Sequence, residues 1–388
     1  MKVAVAGLGY RMANVLQSFQ KAIPDLTIVG LVDPQPAGLE QIEKTGLRVS
    51  RRFDTVDDMV AKSGADLLMV GSPNTFHLGH IESGLRGGLK VFTEKPVVVN
   101  EAQTLELATL LAQYGRDQVL VGLVLRYSDL YRDLRHAQAT GQIGEVVSIE
   151  ASEHIAPYHG AFFMRDWRRY ERLAGPYILE KCCHDLDIYA SVVGKRASAV
   201  SSFGGRKSFV PENAPEMMTN AERDQYFRKP SAWNTTERVF DSDADIIDYQ
   251  TALIEYENGA TMAFHANLNV PNQFRRFCVV GSKGTAEGDF VRNNFTVHAA
   301  STGQLLAERR YAGDESDHYG ADDQMAADIA KNLLHGAALP VGVIDALEAG
   351  LTAIKIDEAR RDRRLIEMAD SWERFDAALQ GVSNKVLA

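Results

Sequence analysis

Cysteine is scarce in this chain. The three present, Cys182, Cys183 and Cys278, form neither a disulfide framework nor a zinc-binding spacing. An odd count with one adjacent pair fits a reduced, cytoplasmic compartment. No apolar run approaches the length that spans a bilayer. The first residues, Met1 to Gly7, read as a strand entering a turn and not as a secretory signal. Positive charge is in deficit: 42 Lys and Arg face 52 Asp and Glu, a formal net charge of -10. That balance argues against a nucleic-acid surface and leaves no polybasic segment for anionic lipid. Internal repeats and low-complexity tracts are absent as well. What remains is ordinary globular composition, 45% hydrophobic and 24% charged, in 388 residues. That is more chain than one hydrophobic core usually serves, so two domains are expected.

Lys2 to Ala6 alternates and is rich in β-branched residues, which predicts a buried strand. Gly7-Leu8-Gly9-Tyr10-Arg11-Met12 follows, then a helix over 13–22. Gly7 permits the tight turn, and Gly9 lets backbone approach a pyrophosphate at the positive end of the helix. The usual fingerprint has Gly or Ala at its third position; here it is Met12. The next apolar stretch, Leu26 to Val32, ends in Asp33. A carboxylate there can accept from the adenosine ribose hydroxyls and repel a 2′-phosphate. Pro34, Gln35 and Pro36 follow, with no cation to neutralise such a phosphate, so the pattern points to NAD over NADP. Asp33 as the N-cap of a following helix is compatible with the same residue.

The alternation continues. A strand over 66–71 ends in Ser72-Pro73-Asn74-Thr75-Phe76-His77, and a helix runs to about Gly87. A strand over 90–93 delivers Glu94-Lys95-Pro96, a helix covers 101–114, and a strand covers 118–125 before Arg126. Strands alternating with helices imply a parallel sheet whose ligands bind beyond the carboxyl ends of its strands. Asp33, Ser72 to Asn74, Lys95 and Arg126 fall at those ends and should share one crevice. Taken alone, Glu94-Lys95 reads as an exposed pair beside a loop proline. Pro96 nonetheless biases Lys95 toward an extended, stiff conformation.

Beyond Arg126 the pattern changes. Strands are predicted over 146–152, 197–203, 248–255, 260–267, 276–280, 284–289 and 294–299, joined by turn signals such as Asn258-Gly259. They form a meander of antiparallel strands in one open sheet, with helices on one face. Residues 208–242, rich in Pro, Asn, Asp and Arg, read as a long loop or insertion. Helices return at 322–334 and 343–361. Pro176 suits the first turn of a helix carrying Glu180-Lys181-Cys182-Cys183-His184-Asp185-Leu186-Asp187. Glu180, His184 and Asp187 are spaced i, i+4, i+7 and share one face. A carboxylate one turn from a histidine can orient the ring and raise its basicity, as a general base acting on an alcohol requires. The alternatives are a solvated row in which Lys181 and Asp185 pair, or a metal site needing more ligands than this helix shows.

In this order Gly7-x-Gly9, Asp33, Pro73-Asn74-x-x-His77, Glu94-Lys95-Pro96, Arg126, Asp166-Trp167-Arg168 and Glu180-x-x-x-His184-x-x-Asp187 resemble the Gfo/Idh/MocA family of sugar and inositol oxidoreductases. The resemblance implies an α/β Rossmann domain over 1–125. It also implies an α+β domain over 126–388, built on an open, mainly antiparallel sheet that binds substrate on one face and forms homodimers or homotetramers through the other. By the same resemblance Gly7, Leu8, Gly9, Tyr10, Arg11, Met12, Asp33, Ser72, Pro73, Asn74, His77, Glu94, Lys95, Arg126, Trp167 and Arg168 line an NAD site. Lys95 is the active-site lysine and His184 the proton-transferring histidine, with Glu180 where the family usually carries Asp. Lys95, Arg126, His154, Arg168, Glu180, His184 and His318 are expected to meet a substrate. His154, Tyr158, His159, Arg165, His265, His318 and Tyr319 collectively suit a neutral polyol, while Arg168-Arg169 and Arg275-Arg276 leave phosphate open. The implied activity is NAD-dependent oxidation of a secondary hydroxyl of a sugar or inositol. Two other readings stay open: a glycoside hydrolase that retains NAD, and a non-catalytic regulator that senses cofactor.

Overall fold

The structure, a computed structural model, describes residues 1–231, 233–313, 318 and 320–381; Tyr319 lies outside this set. It divides into two compact units, residues 1–127, 320–351 and 370–388, and residues 128–319 and 352–369. The first unit therefore includes helical segments that follow the second unit in sequence, where a single C-terminal domain was expected to hold them.

In the first unit, strands β1 (Lys2–Ala6), β2 (Thr27–Val32), β3 (Leu67–Val70), β4 (Lys90–Thr93) and β5 (Val119–Val121) form a parallel sheet in the order β2-β1-β3-β4-β5. Val3, Ala4, Val5 and Ala6 are each fully buried, as a parallel strand covered on both faces demands. Order reverses at β1, so the loop after β1 occupies the switch point where such sheets bind ligands. Gly7 there has φ +87°, and a Cβ on it would lie 2.3 Å from the Ser72 backbone nitrogen. Both constraints require glycine. The Tyr10–Ala22 helix follows, and the bulk of Met12 is accommodated from the other side. Gly71, at the end of β3, has no side chain where a Cβ would meet Met12 at 2.7 Å. The close packing that the third fingerprint glycine normally allows is thus supplied by a different glycine.

In the second unit nine strands form one open sheet: β6 (Val146–His154), β7 (Ala197–Gly205), β8 (Tyr249–Tyr256), β9 (Thr261–Asn267), β10 (Arg276–Gly281), β11 (Gly284–Asp289), β12 (Asn294–Ala299), β13 (Leu305–Arg310) and β14 (Ile366–Glu367). Their order is β13-β12-β11-β10-β6-β9-β8-β7-β14. All neighbours run antiparallel except β6 and β9, which pair in parallel, so the sheet is mixed where a meander was expected. Parity divides its faces. Ile149, Ala151, Val200, Ile254, Phe264 and Val279 are buried on one. The other exposes Phe203 (72%) and Leu253 (57%), alongside Glu150 and His265. Within the 208–242 stretch, read as a loop or insertion, a helix, Asn220–Phe227, starts with a capping box between Thr219 and Glu222. Among the described residues no helix is long and apolar enough to cross a membrane, and no cluster of His, Cys, Asp or Glu could hold a metal ion.

Candidate active site

The expected cofactor residues of the first unit gather at the carboxyl ends of adjacent strands. Asp33 Oδ2 accepts from the Leu8 N–H at 2.6 Å and Oδ1 from the Gln35 N–H at 2.7 Å. These bonds aim the carboxylate beside the Gly7–Gly9 loop. Gly9 is the N-cap of the Tyr10–Ala22 helix, whose first turn has no acidic residue and no side-chain cap. A Cβ on Gly9 would meet nothing within 4 Å, so the backbone N–H groups there open onto space. An uncapped helix N-terminus over open space, with a carboxylate held at the neighbouring strand end, fits a dinucleotide. Asp33→Ala is expected to weaken NAD binding about tenfold, the scale of a lost hydrogen bond to a charged group, and to narrow the preference over NADP. Titration of both nucleotides against the variant checks this; an unchanged NAD affinity would contradict the role.

Arg11, expected at the cofactor, is tied to Glu94 and Asp322. Its Nε donates to Glu94 Oε1 at 2.9 Å, and its two terminal nitrogens reach both oxygens of Asp322 at 2.8 and 2.7 Å. Burial works against the guanidinium charge, but Glu94 and Asp322 more than offset it and raise its pKa. Glu94 in turn accepts the Lys95 N–H at 3.3 Å, and Gly122 leaves room for its carboxylate. Arg11 and Glu94 therefore brace the strand end that carries Lys95, which is half-buried and joined to Pro96 by a cis peptide bond.

His77 is also a brace. It is 1% exposed, with Nδ1 2.9 Å from the Pro96 carbonyl oxygen and Nε2 2.9 Å from that of Ser72. It joins the Ser72-Pro73-Asn74 and Lys95-Pro96 segments. Asn74 is buried, Tyr10 is exposed, and Arg126, 7% exposed, lies 3.6 Å from Asp345.

In the second unit Glu180, His184 and Asp187 all lie on the buried side of the Tyr177–Val193 helix, so the solvated-row alternative does not hold. Lys181 and Asp185 do not pair either. Lys181 Nζ lies 2.9 Å from Glu153 Oε1, Arg275 also contacts Glu153, and Arg275 reaches both oxygens of Asp185 at 2.8 and 2.6 Å. Sequence reading missed Glu153 and Arg275 in this role. The available signal was parity: Glu153 stands on the inward face of β6 with Ile149 and Ala151.

Glu180 Oε1 accepts from Arg168 Nε at 2.7 Å, and Asp166 Oδ1 accepts from Arg168 Nη1 at 2.7 Å. The guanidinium sits over the Trp167 ring at 4.1 Å and that of Phe162 at 5.3 Å. Burial opposes its charge, yet the two carboxylates raise its pKa. The His184 and His318 rings are 6.4 Å apart between centroids. Glu180, Arg168, Trp167, His184 and His318 therefore belong together in this unit. His154 does not join them. Its Nδ1 accepts from Asn267 at 2.9 Å, its ring packs edge-on against Phe274, and strand parity directs it to the open face with His265. Tyr158 lies under Arg228, and His159 beside Lys229.

Two histidines make the fold acid-sensitive. Burial first, then the nearby charges of His265 and Arg276, pull His154 down to about 4 against Glu153. Burial, then His77, pull His80 to about 4 against Asp57. Their folded pKa values lie below the unfolded value, so the stability they contribute is complete above about pH 6.5 and is lost as pH falls toward 4. Urea midpoints should drop between pH 7 and pH 4.5, and His80→Gln should shrink that drop. An equal drop in the variant would contradict the assignment.

Two family models match in order: the NAD-binding Rossmann fold of an oxidoreductase family over residues 1–123, and its C-terminal alpha/beta domain over 137–368. A Bacillus subtilis (strain 168) protein bearing the name oxidoreductase YteT is 22% identical over 300 residues, 68% of this chain and 70% of its own. An inositol 2-dehydrogenase of Leifsonia xyli subsp. xyli is 25% identical over 223 residues, 56% of this chain and 60% of its own. The match thus spans less than two thirds of that enzyme. By structure, the chain is similar in fold to scyllo-inositol dehydrogenase from Lactobacillus casei crystallised with NAD(H) and scyllo-inositol. The TM-score is 0.72 at 21% identity, covering 95% of this chain and 99% of that one. The family models together span nearly the whole sequence, and the chain belongs to the Gfo/Idh/MocA oxidoreductases, with a Rossmann domain that binds NAD.

Proposed function

We propose that this protein oxidises a secondary hydroxyl of a polyol, an inositol or a related sugar, passing hydride to NAD. The observation that carries the reading is the buried cluster on the Tyr177–Val193 helix, where Glu180 is fixed by Arg168 and His184 lies on the same buried side. NAD, when bound, supplies the hydride acceptor. Asp33, the Gly7–Gly9 loop and the Ser72–Asn74 segment hold it; Arg11, Glu94 and His77 position those segments. Lys95 holds the reacting hydroxyl and stabilises negative charge growing on its oxygen. His184 receives the hydroxyl proton. Glu180, paired with Arg168, offers its remaining acceptor capacity to substrate hydroxyls, and His318 lines the same region. Inositol dehydrogenases among the relatives support a neutral cyclic polyol over a phosphorylated sugar.

The exposed face bearing Phe203 and Leu253 supports a second part of the proposal, assembly of like subunits through the open sheet. Three free cysteines agree with a cytoplasmic setting. NAD reduction across inositols, aldoses, anhydrosugars and glycosides tests the activity: a cyclic polyol should give the highest kcat/KM. Cleavage of a glycoside with no net NADH would establish the retained-cofactor hydrolase instead, and NAD binding with no turnover at all would establish the regulator.

A further inference from the structure

The 208–242 stretch and the residues just after it make a series of bonds to one short segment, Arg165 to Glu171. Arg165 Nη2 donates to the Lys229 carbonyl at 3.0 Å, and the Lys229 ammonium lies 2.9 Å from His159 Nε2, which must accept. Ser231 Oγ donates to Asp166 Oδ2 at 3.0 Å. The Thr236 N–H donates to the Arg165 carbonyl at 3.0 Å, and Arg169 Nη1 donates to the Asn234 carbonyl. Asp243 accepts from Arg169 Nε at 2.7 Å and from the Tyr170 hydroxyl at 2.5 Å. Asp245 closes the series, its N–H donating to the Arg169 carbonyl at 3.0 Å and its carboxylate accepting the Glu171 N–H at 2.7 Å. Trp233 packs against the Trp167, Leu173 and Ala174 cluster. The start of the stretch is pinned as well. Asp248, 1% exposed, accepts the N–H groups of Lys207, Ser208 and Phe209.

The bonds that reach the 165–171 segment end on the residues flanking Arg168. Arg168 itself is held by Asp166 and Glu180, and Asp166 divides its oxygens between Arg168 on Oδ1 and Ser231 on Oδ2. The side chain that carries Arg168 toward Glu180 is therefore aimed by a carboxylate that this stretch aims in turn. Length alone does not require this: an unattached loop closing 208 to 248 keeps conformational entropy that is lost when it is laid along the segment, and the bonds must offset that loss.

We infer that the stretch is a strap that positions Arg168 for substrate, with Ser231 and Asp243 as positioning residues acting through Asp166 and Arg169. The inference rests on the role given above to Arg168, which holds Glu180 toward the substrate hydroxyls. Binding energy supplied equally to substrate and transition state appears in KM.

The test compares Arg168→Gln, Ser231→Ala, Ser231→Thr and Asp243→Asn. Each is assayed on the panel member that gives the wild-type protein its highest kcat/KM, myo-inositol included, and NADH binding is measured in parallel. Ser231→Ala should raise KM about tenfold, the scale of a hydrogen bond to a carboxylate, with kcat and NADH affinity within about twofold of wild type. Ser231→Thr, which keeps the donor, should restore KM. Asp243→Asn should raise KM by a smaller factor, since an amide oxygen still accepts from one partner. Should a variant lower the thermal midpoint, its KM is measured at a temperature where both proteins stay folded. If Arg168→Gln raises KM and neither Ser231→Ala nor Asp243→Asn does, the strap is overturned while the reading of Arg168 stands. If Arg168→Gln itself leaves kcat/KM unchanged, or the wild-type protein reduces no NAD on the panel, that reading falls and this inference with it.

Discussion

Lys95→Ala should lower kcat for NAD reduction by about a hundred- to a thousandfold, the range seen when a preorganised charge-stabilising donor is removed. NAD affinity should change little. The cofactor's proposed contacts come from Asp33, Gly9 and Ser72 to Asn74, and the region is braced by the bonds of Arg11 to Glu94 and of His77 to the Ser72 and Pro96 carbonyls. Lys95→Arg keeps the charge but replaces a compact ammonium with a planar fork, so it should recover only a small part of the rate. The check is steady-state turnover beside NADH titration on the same preparations. Turnover near wild type in Lys95→Ala would remove the lysine from the mechanism.

The second large effect concerns stability. Arg275→Met should destabilise the second unit by roughly 3–5 kcal/mol, because it strands the buried Asp185 carboxylate and leaves the buried Glu153 with Lys181 alone. Asp185 is fully buried and Glu153 is 3% exposed. Burial pushes the Asp185 carboxyl up to about 6 in the intact protein, while Arg275 is itself pushed up by Asp185 and Glu153 against burial. The two-point pairing geometry belongs to the ionised carboxylate, so the charged pair is the state at neutral pH. Without Arg275 the Asp185 carboxyl pKa rises further. A raised folded-state pKa contributes stability at low pH that is lost as pH climbs, so the deficit of the variant should shrink as pH falls from 8 toward 5. At pH 7.5 the thermal midpoint should fall by about 10 °C, taking a few degrees per kcal/mol for a unit of this size. A drop below about 1 kcal/mol, or one independent of pH, would show that the network is dispensable.

Those two expectations differ in how far the sequence announces them. The strand-end positions of the Gly7-x-Gly9 turn, Asp33 and Lys95 were legible because strand ends can be read from apolar runs. The helical row of Glu180, His184 and Asp187 was legible from spacing. Its burial was not, because helical periodicity says which residues share a face and not what covers that face. Parity could have flagged Glu153, and the Thr219-x-x-Glu222 capping box could have flagged the helix inside the 208–242 stretch. Nothing local could have joined Arg11 to Asp322 or Arg275 to Asp185, since those pairs lie 311 and 90 residues apart. His154 illustrates the opposite failure: its chemistry suited a polyol, but one step of strand alternation turned it to the other face of the sheet. The parallel pairing of β6 with β9 was equally hidden, because an antiparallel meander and a mixed sheet present the same alternation.

Hydride transfer from carbon is the claim on which the rest depends, and isotope tracing tests it most directly. The best cyclic polyol is prepared with deuterium on its carbinol carbons and incubated with NAD and the protein, and the NADH formed is weighed by mass spectrometry. The account predicts one deuterium per NADH, with a slower rate than for the unlabelled substrate. NADH formed without deuterium would contradict it.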